Sequence, residues 1–338
     1  MIGLFTKRKT RYKWPVYTSL EDVPTEFQSF LADDVAADFR AALHQRDYAR
    51  ATTLYQRSDT ESATTILAGL RQNDRDLQQR ISDFFVADKQ NPVACVCYAD
   101  SMLERAWAAR SRKFYRDLSQ EQIAAFHSIM DNTHRVIETM LEHAAHDPLA
   151  WTTAITYDMA ANDDKNETRK LWENGCKADP MCWRLHTAYV YNLDPRWDGT
   201  SDLMEAAVQS IAQIRPRSYL EGIRPSAFLQ KLGYADACGG AKSAERVRRD
   251  PNERHLVVSA YNRMRKDKSC TLGLFSLALF ANAFYDLGED RLLLDALEQT
   301  DFRFMDAGWS SRQEITEGPR SLVLHRNFLK SEVDNGRL

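Results

Sequence analysis

Proline is tolerated in a helix only in the first turn, where the N–H it lacks would have had no partner. In this chain Asn91-Pro92, Asp147-Pro148, Asp179-Pro180 and Asp250-Pro251 each set an Asn or Asp cap before a proline, ahead of an apolar segment of helical period. Pro216 adds a further point, and the steps from 148 to 180, 216 and 251 are 32, 36 and 35 residues. Trp151, Trp183 and Tyr219 recur at one offset behind three of these prolines. A period near 34 residues marks paired-helix repeats, in which each unit buries its face only against the next and the stack curves.

The periodicity between these points agrees. Phe126, Met130, Ile137, Leu141 and Ala144 form one apolar stripe on segment 120–146, and Ser119 with Gln122 three residues on offers a capping box at its start. The 13 glycines among 338 residues are few for turn-dense β architecture. The expected fold is all-α, a tetratricopeptide-like solenoid of antiparallel helix pairs over residues 31–315, behind a basic arm at 1–30 and before a tail at 316–338. Two points strain the period. The step from Pro92 to Pro148 is 56 residues, which assigns the basic stretch 110–116 to a longer helix or an insertion, and Pro225 falls inside the helix expected from Tyr219.

Segment 277–297 resembles the tetratricopeptide helix pair, with Ala281, Tyr285, Gly288 and Ala296 in the small, aromatic, turn and small roles. Leu193-Asp194-Pro195-Arg196-Trp197-Asp198-Gly199-Thr200-Ser201 is similar to the L-x-P-x-W-x-G-[ST] signature of a functionally uncharacterised bacterial family of such helical proteins. Asp198 stands where that family often has a second glycine, and Trp309 matches its late isolated tryptophan. The resemblance spans about residues 35–315 and implies a fold without an activity. From the residues themselves, Asp-Gly supplies a turn of positive φ, Thr200 or Ser201 caps the helix at 202–214, and Trp197 pins the loop onto a neighbouring repeat. Several outward N–H groups at that helix start, with Arg196 beside them, are the alternative reading as an anion site.

Other patterns mostly exclude functions. Six cysteines, Cys95, Cys97, Cys176, Cys182, Cys238 and Cys270, are too few for a disulfide framework in a chain this long and point to a reducing compartment. The charges of the first residues follow the apolar stub, the reverse of a signal peptide, and the most apolar run, 272–287, is too short to span a bilayer. A cytoplasmic protein is expected, without a membrane partner. No nucleophile elbow, phosphate-binding loop, zinc-protease or C-x-x-C motif occurs, so neither catalytic residues nor a cofactor is expected. His143, His146 and Asp147 share a helix end but lack further ligands at a recognised spacing, and no metal is expected.

Recognition is the function that remains. The first helix of each pair would line a concave groove, where aromatic and arginine side chains give most of the binding energy. The candidates are Tyr157, His186, Tyr189, Tyr191, Arg196 and Trp197, with Arg246 and Arg249 on a basic region, while Trp151 and Trp183 share a repeat position and are core. The expected role is a non-catalytic protein-binding scaffold. For a cytoplasmic bacterial protein of this kind, the partner classes are a secreted toxin met by its immunity protein, a secretion substrate met by its chaperone, or a regulatory complex.

Two alternatives stand beside it. Lys7, Arg8, Lys9, Arg11 and Lys13 give the arm five positive charges in a chain of net charge −3, and region 241–268 carries a further +5, a pattern compatible with nucleic acid. An all-helical enzyme would instead assemble its groups from distant repeats.

Overall fold

A computed structural model describes residues 34–70, 74–111, 117–161, 164–266 and 274–299. The arm at 1–30, Trp309, the tail at 316–338 and most of the stretch 110–116 lie outside the described residues. Helices and the turns joining them make up everything described, and no strand occurs among these residues. None of the described helices is long and apolar enough to cross a membrane.

The described residues begin with α1 (Asp34–His44), α2 (Tyr48–Arg57), α3 (Thr60–Gly69) and α4 (Arg75–Ala87). Ten helices follow: α5 (Pro92–Arg110), α6 (Gln120–Ala144), α7 (Pro148–Ala161), α8 (Lys165–Ala178), α9 (Trp183–Asn192), α10 (Ser201–Ile214), α11 (Ile223–Arg248), α12 (Pro251–Met264), α13 (Leu274–Leu287) and α14 (Asp290–Gln299). Short polar side chains start most of them. Asn91 accepts from the N–H groups of Val93 and Ala94, Thr200 from that of Leu203 and Asp250 from that of Asn252, while Ser119 and Gln122 close a reciprocal capping box. Each such bond satisfies a donor that has no partner inside the helix and is worth about 1 kcal/mol.

From α5 onward one neighbour pattern repeats. The odd-numbered helices α5, α7, α9, α11 and α13 each pack on the next odd-numbered one, and α6, α8, α10 and α12 each wedge between the two odd-numbered helices that flank them in sequence. α14 packs on α13. One hydrophobic core runs from α1 to Ala227, a second from Phe228 to Leu297, and Trp183 touches both.

The irregular steps of the sequence have structural causes. Between Pro92 and Pro148 lie two long helices of 19 and 25 residues, which account for the wide spacing. Asp179-Pro180 does not open a helix: α8 ends at Ala178, Asp179 holds a turn through the N–H of Met181, and α9 begins at Trp183 behind Cys182. Tyr219 lies on a short 3-10 turn, Tyr219–Gly222, and α11 starts only at Ile223. Pro225 therefore sits in a first turn, where its missing N–H costs nothing.

The first helices have a role that sequence did not reveal. Asn91 donates to Thr52 Oγ1 on α2 (3.0 Å), Tyr55 on α2 donates to Asp147 (2.9 Å), and Thr60 at the start of α3 donates to Asp179 (2.9 Å). Each Asn or Asp also accepts from the backbone after its own proline, so one residue closes its turn and ties α2–α3 to it. With α2 packed on α5 and α3 on α7, the N-terminal halves of α5 and α7 are covered all round. Val93 through Cys97 are all buried, as are Leu149, Ala150 and Thr152 through Ile155. Cys95 and Cys97 are fully buried small hydrophobes, and burial pushes the Cys95 thiol up to about 11.

Charge ties α10, α11 and α12 together. Arg224 places two nitrogens on Glu205 at 2.5 and 2.7 Å, and Lys231 reaches Glu253 at 2.6 Å and Glu205 at 3.8 Å. The hydrogen bonds from Arg224, helped by its charge and opposed by partial burial, hold the Glu205 carboxyl down at about 2, against an ordinary value of 4.5. A depressed carboxyl stabilises the fold fully above its unfolded value and loses that contribution as pH falls through the folded one. Urea midpoints should therefore decline between about pH 4.5 and 2, and Glu205→Gln should flatten that decline; an unchanged slope would show that Glu205 is not the group responsible.

Candidate binding surface

The segment between α9 and α10 explains its own sequence residue by residue. Leu193 is buried beneath it, and Asp194, with no exposed surface, is its hub. One carboxylate oxygen of Asp194 accepts from the backbone N–H of Arg196 (2.8 Å) and from its Nε (2.9 Å), and the other accepts from a terminal guanidinium nitrogen (2.9 Å). This is a two-pronged fork of the kind only arginine makes. Pro195 starts the 3-10 turn Pro195–Trp197, and the Asp194 carbonyl accepts from Trp197 (2.8 Å) and Gly199 (3.2 Å).

Asp198, not Gly199, takes the left-handed conformation (φ 60°, ψ 18°), a role aspartate fills because its short polar side chain tolerates that region. Gly199 is required for closeness: a Cβ there would lie 2.0 Å from the carbonyl oxygen of Leu193. Thr200 then caps α10, as expected.

Arg196 carries the loop outward to other elements. Its guanidinium also bonds to Gln230 on α11 and lies 5.7 Å from the Tyr191 ring on α9. Burial opposes its charge, but the hydrogen bonds and charge of Asp194 outweigh that and raise its pKa. Trp197 meets Trp107 of α5 edge to face, ring centres 5.4 Å apart, and Tyr191 at 6.0 Å. Arg110, one turn beyond Trp107, lies 5.4 Å from the Trp107 ring and 5.7 Å from that of Trp197. Trp107 and Tyr157 both pack on a small satellite core of Leu103, Ala106, Phe126 and Met130.

These side chains come from the C-terminal ends of α5, α7 and α9, the ends that α2 and α3 leave uncovered. Trp107, Arg110, Tyr157, Tyr191, Arg196 and Trp197 are all partly exposed. The Trp197 indole N–H is buried and has no hydrogen-bond partner among the described residues. Neither indole nor guanidinium exchanges protons near neutrality; what these groups offer is aromatic contact together with a guanidinium that can bond an acidic or carbonyl group.

The structure thus brings Tyr191, Arg196 and Trp197 into contact; Tyr157 shares only the satellite core with Trp107, and its ring and hydroxyl meet His134. His186 and Tyr189 lie elsewhere. His186 has no exposed surface; its Nδ1 accepts from the Trp172 indole (3.0 Å) and its Nε2 faces the Pro180 carbonyl (2.8 Å), which assigns the neutral Nε2–H tautomer. Burial lowers its pKa to about 4. Tyr189 is buried and stacks on Trp172 at 4.7 Å. Both belong to the face of α9 that carries Cys182, Leu185 and Val190 into the core, so neither lines a groove.

Arg246 and Arg249 are exposed on the last turns of α11, bonded to Ser243 and Glu245 within that helix. Four other arginines of the region find acids from other elements: Arg248 pairs with Asp286, Arg254 with Glu289, Arg263 with Glu221 and Arg265 with Asp295. Trp107 and Arg110 were missed in sequence. Their signal was an aromatic and a cation one helical turn apart, but Arg110 reads there as the first of a basic run.

Asp147, of the His143, His146 and Asp147 set, is committed to Tyr55 and the N–H of Leu149, and the described residues hold no group of three or more metal-ligating side chains.

The loop geometry makes opposite predictions for adjacent residues. Gly199→Ala should lower stability by about 1–3 kcal/mol, because backbone must move to admit the Cβ. Asp198→Gly should leave the thermal midpoint nearly unchanged, since glycine adopts φ 60° freely. Thermal unfolding of the two variants checks this, and equal losses would refute the assignment. Comparison of this chain with protein-family models, with curated proteins and with solved structures finds no match.

Proposed function

We propose that this chain is a non-catalytic, protein-binding scaffold of stacked, tetratricopeptide-like helix pairs, and that its working surface is the aromatic and arginine cluster around Trp197. The recurring neighbour pattern from α5 to α14 supports the stack: each pair rests on the next through its first helix, as a solenoid requires. The observation that carries the binding role is the convergence of Trp107, Arg110, Tyr191, Arg196 and Trp197 from three parts of the chain onto one half-exposed surface. Large rigid rings and arginines that a fold holds in place are the residues that dominate binding energy at protein interfaces.

The inner surface of the stack differs from an open groove. α2 and α3 occupy the N-terminal halves of α5 and α7, so a partner meets the uncovered C-terminal ends. The pairing of Arg248, Arg254, Arg263 and Arg265 with acids of other elements weighs against nucleic acid as the ligand of that region. A polypeptide partner, such as a toxin or a secretion substrate, fits the cluster better than a phosphate backbone, which would favour unpaired cations.

Capture with the immobilised full chain tests this reading, alongside Arg110→Glu and Tyr191→Ala variants that unfold at the same temperature as the parent. One polypeptide held in stoichiometric amount by the parent, resistant to high salt and nuclease, and lost from either variant is the expected result. The same polypeptide on parent and variants alike, or nuclease-sensitive material alone, would overturn it.

A further inference from the structure

A second feature lies away from this cluster, at the opening of the chain. Between α2 and the end of α4 is a cleft of about 490 Å³. One wall is aromatic: Tyr48, the first residue of α2, stacks on Phe84 of α4 with ring centres 5.0 Å apart and planes 17° from parallel. Phe84 is fully buried and fixes the pair, while Tyr48 is only partly covered. The floor is rigid. Asn91 spends its carbonyl on the N–H groups of Val93 and Ala94 and donates to Thr52 Oγ1, so neither end of its amide is free to turn.

The electrostatics of the cleft have one sign. Among the described residues, Asp88 is the only charged one that lines it, and no lysine, arginine or histidine does. The Asp88 carboxylate accepts from the Gln90 N–H (3.0 Å) through one oxygen and forms no ion pair among the described residues. The last turn of α4, which ends here, carries no basic side chain. The acids nearby on α4 are already answered: Asp83 pairs with Arg46 and Arg80, and Asp76 with His44 and Arg80.

We propose that this cleft binds an organic cation, an ammonium or guanidinium group that lies on the Tyr48 ring and faces the Asp88 carboxylate. An aromatic ring and a carboxylate lining one concave site are the two features that attract such a group, the ring through its quadrupole and the carboxylate through its charge. The volume admits a side chain of arginine size. The same chemistry is offered by a small free amine and by a lysine or arginine of a peptide. This site is independent of the Trp197 surface, and either stands if the other fails.

The test is a titration of the isotope-labelled full chain, following the backbone amides of Tyr48, Thr52, Asp88 and Asn91. N-acetyl-arginine amide and tetramethylammonium are the cationic probes, and N-acetyl-citrulline amide is the uncharged isostere. The arginine derivative should shift these amides saturably and bind about tenfold more tightly than the citrulline derivative. Asp88→Asn, which removes an exposed charge without touching the core, should lose most of that difference, and Tyr48→Leu should weaken both cations.

Tighter binding of tetramethylammonium than of the arginine derivative would indicate a free amine as the source, and the reverse order a peptide side chain. Equal shifts from arginine and citrulline, unchanged affinity in Asp88→Asn, or no saturable shift from either cation would overturn the proposal. The arginine and citrulline contrast needs no variant, so a poorly folded substitution cannot obscure the result.

Discussion

Much of the molecule turns on one buried ion pair. Asp194 has no contact with solvent, and an isolated carboxylate there would be prohibitively costly. Arg196, two residues on, supplies both a backbone N–H and a two-pronged guanidinium, which makes the burial tolerable and freezes the intervening proline turn. Once the fork is closed, the position of everything after it follows. Arg196 is aimed at Gln230 on α11, and Trp197 is delivered to Trp107 on α5. Asp198 must turn left-handed, and the chain returns so close to Leu193 that only glycine fits at 199. The eight-residue connection between α9 and α10 thereby reaches both α5 and α11, which lie more than a hundred residues apart in sequence.

The second organising device lies at the other ends of the same helices. An Asn or Asp before proline is usually described as a cap for its own helix. Here Asn91, Asp147 and Asp179 each also bond to α2 or to the start of α3. Those two helices close the N-terminal halves of α5 and α7, which accounts for the nearly unbroken burial along both. Division of labour follows along the axis of each helix: N-terminal halves are core, and the C-terminal ends present rings and guanidinium groups.

The helical class was legible because local rules act within one turn. The capping box at Ser119 and the Asp-Pro and Asn-Pro openings at 91, 147 and 250 are written in adjacent residues and stand in the structure as read. Register was less legible wherever a proline served a turn instead of a helix. Asp179-Pro180 has the same letters as Asp147-Pro148, yet its carboxylate holds a turn and α9 starts three residues later.

The candidate surface was legible in part for a related reason. Arg196 and Trp197 sit inside a dense local motif, whereas Trp107 becomes meaningful only when α5 and the loop meet in space. His186 was misplaced because an imidazole on a helix carries no mark of whether Trp172 and a carbonyl will satisfy it. The pairings of the basic region 241–268 were hidden similarly, since the acids that meet Arg248, Arg254, Arg263 and Arg265 belong to the 219–222 turn, α13, the turn after it and α14.

The central claim is that the Asp194 fork, and not the indole alone, holds Trp197 on the surface formed with Trp107 and Arg110. A double-mutant cycle between Asp194→Ala and Trp197→Ala, read as unfolding free energy in urea, measures that dependence directly. The account predicts strong coupling, about 1 kcal/mol or more, because loss of the fork should already release the indole. Additive losses, within about 0.5 kcal/mol, would mean that Trp197 keeps its place without Asp194 and would contradict it.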